Sequence, residues 1–180
     1  GIELDVYSDI DVSLFDYAIG SAHYIKKDGC YIPVDLSADT LRNAVKHHFG
    51  GDVYALTEAY FETVSLLKDK KIDIIGHFDL ITKFNQNGIM FDEQHPRYIN
   101  AAVNAVEVLI QKGKPFEINT GVIIRGYKEK PYPSDFLMDK ITEKGGKFLL
   151  NSDSHRSDML CFEFEKWYAH ANDRKVNWFE

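Results

Sequence analysis

Two residues that commonly bind metal ions follow a short apolar segment near the end of the sequence. Phe148, Leu149 and Leu150 are typical of a strand buried on both faces, and Asp153 and His155 come just after it. The two side chains are separated by one residue, so both can point the same way. Carboxylate oxygen and imidazole nitrogen suit zinc, iron or manganese. Taken alone, a helix-capping aspartate beside a surface histidine is an equally good interpretation.

Two further strand-like segments end in a histidine that follows small residues. Residues 15–25 contain His23, and residues 72–80 contain Gly76 and His77. A single histidine at such a place is more often a hydrogen-bonded core residue. Parallel strands bring their carboxyl ends to one face, so three such strand ends favour a shared metal centre.

A carboxylate and an arginine extend this candidate centre. Glu3 lies in the alternating segment at residues 1–7, which is typical of a strand. A carboxylate there can bridge two cations roughly 3.5–4 Å apart, and bound metal lowers the pKa of water towards about 7. Arg125 follows a strand predicted over residues 116–119 and can hold a phosphate in a two-pronged contact. A surface arginine is an equally good interpretation of Arg125.

The elements that must position these residues alternate along the chain. Helical spacing and capping residues predict helices that begin after Ser37, Asp52, His95 and Ser134. Strands separated by helices indicate a parallel sheet, either layered or closed as a barrel. With no linker, low-complexity run or sequence repeat, we expect a single domain over residues 1–180.

A last helix is predicted after the candidate ligands, with Ser157 or Asp158 as its cap. The helix carries Leu160, Phe164, Trp167 and Tyr168, and its aromatic residues are expected to pack in the core rather than to bind a ligand. Beyond residue 169 the helical pattern fades.

Composition excludes several classes of function. The chain has 180 residues, 44% of them hydrophobic, which is enough for one domain with a core. Its formal charge of −7 disfavours a nucleic-acid surface. No apolar run is long enough to cross a membrane and no secretory signal is visible, so we expect no membrane partner and a cytoplasmic location. Cys30 and Cys161 form no metal-like pair and fit buried or idle thiols in a reducing cytoplasm.

Six blocks of the sequence resemble the PHP family, named for polymerase and histidinol phosphatase, and within it the histidinol-phosphatase branch. In order they read Gly-Ile-Glu-Leu-Asp, Phe-Asp-Tyr-Ala-Ile-Gly-Ser-Ala-His-Tyr-Ile, Gly-Gly-Asp-Val-Tyr-Ala-Leu, Ile-Gly-His-Phe-Asp-Leu, Glu-Ile-Asn-Thr and Ser-Asp-Ser-His-Arg. The resemblance implies an α/β fold, a distorted TIM-like barrel of seven strands. It also implies up to three divalent metal ions, zinc, manganese or iron, at the carboxyl ends of the strands.

Carried over by position, the resemblance also assigns roles to single residues. The implied metal ligands are Glu3, His23, His77, Asp153 and His155. Glu3, Asp153 and His155 are then also the catalytic residues, and Arg125 contacts the phosphate. The implied reaction is hydrolysis of L-histidinol phosphate to L-histidinol and phosphate, a step of histidine biosynthesis, with metal-bound hydroxide attacking phosphorus.

One departure from the family pattern leads to further expectations. The family opens with a His-x-His motif on its first strand, and this sequence contains none. We therefore expect the C-terminal portion of a larger barrel, without its N-terminal strands, that is nearly inactive alone. Such a portion would leave an exposed sheet edge, which favours self-association.

Two other functions remain open at this stage. One is a different PHP phosphoesterase, such as the exonuclease-like modules attached to DNA polymerases, although the acidic balance disfavours it. The other is a metal-binding or self-associating fragment without catalysis. Catalysis by a serine nucleophile fits less well, because the sequence lacks a Gly-x-Ser-x-Gly motif.

Overall fold

A computed structural model of the chain describes residues 11–179, in which five strands form a parallel sheet and two more form an antiparallel hairpin. The strands are β1 (Ile19–Gly20), β2 (Tyr24–Lys27), β3 (Cys30–Pro33), β4 (Ile74–Ile75), β5 (Phe116–Asn119), β6 (Lys147–Asn151) and β7 (Asn177–Trp178). The parallel sheet has the order β1-β4-β5-β6-β7, and β2 pairs with β3. Glu3 and the strand predicted over residues 1–7 lie outside the described residues.

Helices connect the strands of the parallel sheet. They are α1 (Ala38–His48), α2 (Val53–Ser65), α3 (Pro96–Ile110), α4 (Gly121–Ile124), α5 (Asp135–Glu143) and α6 (Phe164–Asp173). Four of the predicted starts are confirmed. The Ser37 hydroxyl accepts the Thr40 N–H at 3.0 Å, and the Asp52 carboxylate accepts two N–H groups of α2. Such caps satisfy backbone donors that the first helical turn leaves unpaired.

A continuous row of aromatic side chains joins the helical layer to the sheet. Phe61 of α2 lies 5.4 Å from Phe78, Phe78 lies 5.5 Å from Phe116 of β5, and Phe116 lies 6.3 Å from Phe148 of β6, measured between ring centroids. All four rings are buried. Aromatic pairs at these separations add favourable contacts to the burial of their large apolar surfaces. The row therefore fixes the strands whose carboxyl ends carry the candidate site.

The structure corrects the single strand predicted over residues 15–25. Only β1 joins the parallel sheet, and the chain then turns so that β2 pairs with β3. The loop residues Asp28 and Gly29 have φ angles of 51° and 77°. Two left-handed residues in a two-residue loop form a type I′ hairpin turn, for which Asp-Gly is a strong signal. His23 lies between β1 and β2, so it still follows the carboxyl end of β1.

The predicted last helix begins later than expected. Residues Ser157–Met159 form one 3₁₀ turn, and α6 starts only at Phe164. Cys161 and Glu163 both have left-handed φ angles, which interrupt a continuous helix. The predicted core role is confirmed for Trp167 and is wrong for Tyr168, which is exposed, while Phe164 is half-buried.

Two findings bear on the predictions from composition. No helix within residues 11–179 has the length and apolar character that a membrane span requires. Cys30 and Cys161 are free thiols, and both are exposed rather than buried.

Candidate active site

A cavity of about 380 Å³ lies at the carboxyl ends of the parallel strands. Its walls include every predicted site residue that falls within residues 11–179, namely His23, His77, Arg125, Asp153 and His155. His23 follows β1, His77 follows β4, and Asp153 and His155 follow β6. The structure therefore brings together side chains that up to 132 positions separate in sequence (155 − 23).

The two histidines at the centre of this cavity are neighbours. The rings of His23 and His77 lie 4.8 Å apart between centroids, in an edge-to-face arrangement. Burial, and then the nearby His23 ring, lowers the pKa of His77 from 6.5 to about 4. His77 is therefore neutral at pH 7, as a metal-binding imidazole must be. Its Nδ1 atom is buried and has no hydrogen-bond partner among the described residues.

Asp153 and Arg125 form an ion pair on the wall of the cavity. Arg125 donates from Nη1 to the Asp153 carbonyl oxygen at 3.0 Å and from Nη2 to Asp153 Oδ2 at 2.8 Å. Asp153 has a φ angle of 46°, in the left-handed region that non-glycine residues rarely occupy. This backbone conformation turns the chain directly after β6 and is held by the two contacts from Arg125.

The nitrogen and oxygen atoms that line the cavity are of the types that bind divalent cations. Two adjacent imidazoles share the cavity with the Asp153 carboxylate, and the buried Nδ1 of one of them has no hydrogen-bond partner within residues 11–179. Such nitrogen and oxygen donors suit zinc and related metals. Within residues 11–179, no group of three or more His, Cys, Asp or Glu side chains is arranged to hold an ion. The Asp153 carboxylate is engaged by Arg125, and His155 is exposed at the rim.

A buried carboxylate that the sequence analysis did not assign lies beneath the ligands. Glu117 of β5 lines the cavity and is 2% exposed. It accepts hydrogen bonds from the His77 backbone N–H and from the side-chain amides of Asn119 and Asn151. Burial raises the pKa of Glu117, and these donors act in the opposite direction. An acidic residue between Phe116 and other buried strand residues was the signal that could have identified it.

A lysine on the cavity wall was also missed. Lys83 donates from Nζ to the Asp35 carbonyl oxygen at 2.8 Å, and its ammonium lies 4.6 Å from the centre of the Tyr127 ring. Burial lowers its pKa, although the Asp35 carboxylate acts in the opposite direction. Lys83 and Arg125 thus present two cations to one cavity. Nothing in the local sequence distinguished Lys83 from the other lysines.

A second buried acid fixes the turn that follows β4. Asp79 is fully buried, and its Oδ2 accepts the Ser134 N–H at 3.0 Å at the start of α5. Burial raises the pKa of Asp79 from 3.8 to about 6. Its Oδ1 has no hydrogen-bond partner among residues 11–179. This contact ties the segment that carries His77 to the helical layer.

The chain is similar in sequence to one group of phosphatases. No protein-family model matches it. In sequence it is 30% identical over 142 residues to a protein of Schizosaccharomyces pombe assigned as a histidinol-phosphatase. It is 24% identical over 179 residues to the histidinol-phosphatase of Saccharomyces cerevisiae, and 23% identical over 181 residues to that of Bacillus subtilis. These matches cover 78%, 86% and 92% of this chain but 44%, 52% and 66% of the relatives, so the chain spans about half to two thirds of their length.

Two solved structures have a similar fold. One, from Listeria monocytogenes and assigned as a histidinol phosphatase, gives a TM-score of 0.72 at 18% identity and covers 86% of this chain and 59% of its own. The other, from Lactococcus lactis, gives 0.63 at 18% identity, covering 99% of this chain and 67% of its own. That structure is a histidinol phosphate phosphatase complexed with zinc, L-histidinol and phosphate.

The fold is thus of the α/β class, with a mostly parallel sheet like that of the PHP-family histidinol phosphatases. The resemblance predicted from the sequence blocks is confirmed, and the chain is a relative of the histidinol-phosphatases.

Proposed function

We propose that this chain forms the metal-dependent site of a phosphomonoester hydrolase that acts on L-histidinol phosphate. The observation that carries the proposal is the single cavity in which two adjacent imidazoles meet Asp153 and two cationic side chains. Metal-ligand atoms beside paired positive charges suit the hydrolysis of a phosphate ester. The sequence relationship to histidinol-phosphatases supports this substrate over other phosphate esters.

The residues that would hold divalent ions are His23, His77, Asp153 and His155, together with Glu3. Zinc is the first candidate because the Lactococcus lactis structure contains it, and manganese and iron suit the same donors. When bound, such ions supply a water nucleophile that is ionised near neutral pH and offset charge on the phosphate. The neutral state of His77 keeps a ring nitrogen free of a proton for this purpose.

Arg125 and Lys83 would bind the phosphate group. Arg125 donates two of its five N–H groups to Asp153. This pairing holds the guanidinium in place, and the remaining N–H groups can donate to phosphate oxygens. Lys83 is held against the Asp35 carbonyl and the Tyr127 ring, so its charge is positioned before a ligand arrives. A prepositioned cation loses less entropy on binding than a freely moving one.

We infer that the five parallel strands belong to one domain and form part of a distorted barrel, which the structural similarity to histidinol phosphatases supports. Among the described residues, β1 and β7 are the outer strands of the sheet. Self-association through a sheet edge stays a prediction, and size-exclusion chromatography of the purified chain at increasing concentration tests it.

Calorimetric titration of the zinc-loaded chain tests the proposed function. We expect L-histidinol phosphate to bind at least about tenfold more tightly than glycerol phosphate, and single-stranded DNA not to bind. Arg125→Ala should weaken phosphate-ester binding at least about tenfold, since charge-assisted two-point contacts are among the strongest hydrogen bonds. Arg156→Ala is the matched control because Arg156 is exposed and its guanidinium pairs with the nearby Asp158 carboxylate. Equal affinity for the two esters, or equal effects of the two arginine variants, would contradict the proposal.

A further inference from the structure

The carboxylate of Glu117 joins the carboxyl ends of three neighbouring strands. Its Oε2 accepts the backbone N–H of His77, after β4, at 2.7 Å and the Asn119 amide, at the end of β5, at 2.8 Å. Its Oε1 accepts the amide of Asn151, the last residue of β6. One buried group therefore contacts three of the strand ends that surround the cavity, those of β4, β5 and β6.

Each asparagine also accepts a main-chain N–H through its side-chain oxygen, close to the candidate site. With its Nδ2 turned to Glu117, the Asn119 side chain directs Oδ1 to the Gly121 N–H at 2.9 Å, which sets the start of α4. Asn151 likewise directs Oδ1 to the Asp153 N–H at 3.3 Å.

These hydrogen bonds also affect the position of Arg125, the proposed phosphate-binding residue. Arg125 directly follows α4 as its C-cap residue, so the position of the start of this short helix determines the position of the Arg125 backbone. Its guanidinium then contacts both the backbone and the carboxylate of Asp153, whose place Asn151 fixes. The two branches of the network thus meet again in one ion pair.

We propose that Glu117 is the positioning residue of this site. By fixing the orientation of two amides, it places His77, Asp153 and Arg125 relative to one another. The effect on phosphate binding rests on the proposed function, whereas the effect on the amides does not.

An ionised carboxylate suits this role because it only accepts hydrogen bonds. Both asparagines must therefore turn their NH₂ groups towards Glu117 and their oxygens towards the main-chain donors. A glutamine at position 117 carries one donor and one acceptor. If its oxygen keeps the His77 and Asn119 donors, its NH₂ group faces the NH₂ group of Asn151, and that link fails.

A pair of reciprocal substitutions tests this arrangement. Glu117→Gln alone should weaken binding of inorganic phosphate to the zinc-loaded chain by about tenfold or more, since buried donors without partners are costly. Asn151→Asp alone should do the same, because it places two carboxylates side by side. In the double variant E117Q/N151D, the glutamine NH₂ donates to the new aspartate, which still accepts the Asp153 N–H. The double variant therefore keeps the same set of hydrogen bonds, and only the donor and the acceptor between positions 117 and 151 are exchanged.

We expect the double variant to bind phosphate within about threefold of the original chain. A double variant that binds phosphate no more tightly than the single variant with the lower phosphate affinity would overturn the inference. A double variant that does not fold would also overturn it. So would an E117Q variant with unchanged phosphate affinity. A group that only stabilised the fold would give additive losses rather than recovery.

A second readout does not depend on the proposed function. In the metal-free chain, the Asn151 side-chain amide should exchange slowly with solvent in nuclear magnetic resonance spectra. In E117Q its exchange should be at least about tenfold faster, because the buried acceptor is lost. If the original chain binds no phosphate, the proposed function fails, and this exchange rate alone decides the role of Glu117. Unchanged exchange in E117Q would refute that role.

Discussion

The imidazole rings of His23 and His77 lie 4.8 Å apart, although they are 54 positions apart in sequence (77 − 23). The contact exists because β1 and β4 are neighbours in a parallel sheet and each histidine follows the end of its strand. A pair of imidazoles at this distance can contribute to one metal centre, which neither strand provides alone.

The first prediction concerns the metal affinity of this pair. His77→Ala should lower the zinc affinity at least about tenfold, because His77 supplies a neutral, buried nitrogen without another partner in residues 11–179. Titration against a competing zinc chelator measures the change. His47→Ala is the control, since His47 is an exposed residue of α1 and does not line the cavity. Equal zinc affinity in the two variants would count against the His77 assignment.

The second prediction concerns the space beside the Arg125–Asp153 ion pair. A Cβ atom at Gly121 would lie 2.5 Å from the Ser152 carbonyl oxygen and 2.8 Å from Arg125 Nη2. Gly121→Ala should therefore displace the guanidinium and weaken phosphate binding by about tenfold. Calorimetric titration with inorganic phosphate measures this.

Gly113→Ala provides a matched control for the Gly121 variant. Gly113 has a φ angle of 67° and no atoms within 4 Å of its added Cβ. The control should lose about 1–2 kcal/mol of stability through backbone strain and keep its phosphate affinity. Phosphate binding that is lost equally in both variants would show that the effect is general destabilisation.

The third prediction concerns the pH dependence of stability. The pKa of Asp79 is raised from 3.8 to about 6 by burial, so the folded protein binds this proton at a higher pH than the unfolded chain. Its contribution is fully present below pH 3.8 and is lost as the pH rises through about 6. Asp79→Asn removes the titration. The free energy of unfolding of the original chain, relative to the variant, should therefore rise by about 2 kcal/mol between pH 7 and pH 4.

Urea unfolding of both proteins with a metal chelator present measures this difference. Asn at position 79 can still accept the Ser134 N–H through its amide oxygen, so the comparison isolates the proton. A difference that is independent of pH, or that falls on acidification, would disagree with the buried position of Asp79.

The fourth prediction concerns the aromatic row that supports the strand ends. Phe116 is fully buried and lies between Phe78 and Phe148. Phe116→Ala should lower the free energy of unfolding by about 3–5 kcal/mol, because it leaves a cavity in a packed core. Leu160→Ala, at an exposed position, should change it by less than about 0.5 kcal/mol. Urea unfolding that gave similar values for both would contradict the core assignment.

Local signals in the sequence predicted most of the helices. Ser37 and Asp52 mark the starts of α1 and α2 because each accepts hydrogen bonds from residues two or three positions ahead. The Asp28-Gly29 turn was a similar local signal that the strand prediction over residues 15–25 overlooked. The interruption at Cys161 and Glu163 had none, because neither residue type favours a left-handed conformation.

The candidate site could be predicted only in part, because some of its contacts form between residues that are far apart in sequence. Histidines at the ends of strands could be recognised because their position depends on the alternation of strands and helices. The role of Glu117 depends on donors from β4, β5 and β6, which become neighbours only in the folded sheet. Lys83 reaches the cavity through contacts with Asp35, 48 residues away (83 − 35).

Anomalous diffraction from crystals grown with zinc tests whether the strand-end residues share a metal ion. We predict an anomalous peak in the cavity at a zinc–nitrogen distance of about 2.0–2.1 Å from His77, with His23 or Asp153 as a further ligand. A map with no peak near these residues, or with zinc bound only elsewhere on the surface, would contradict a shared metal site in this cavity.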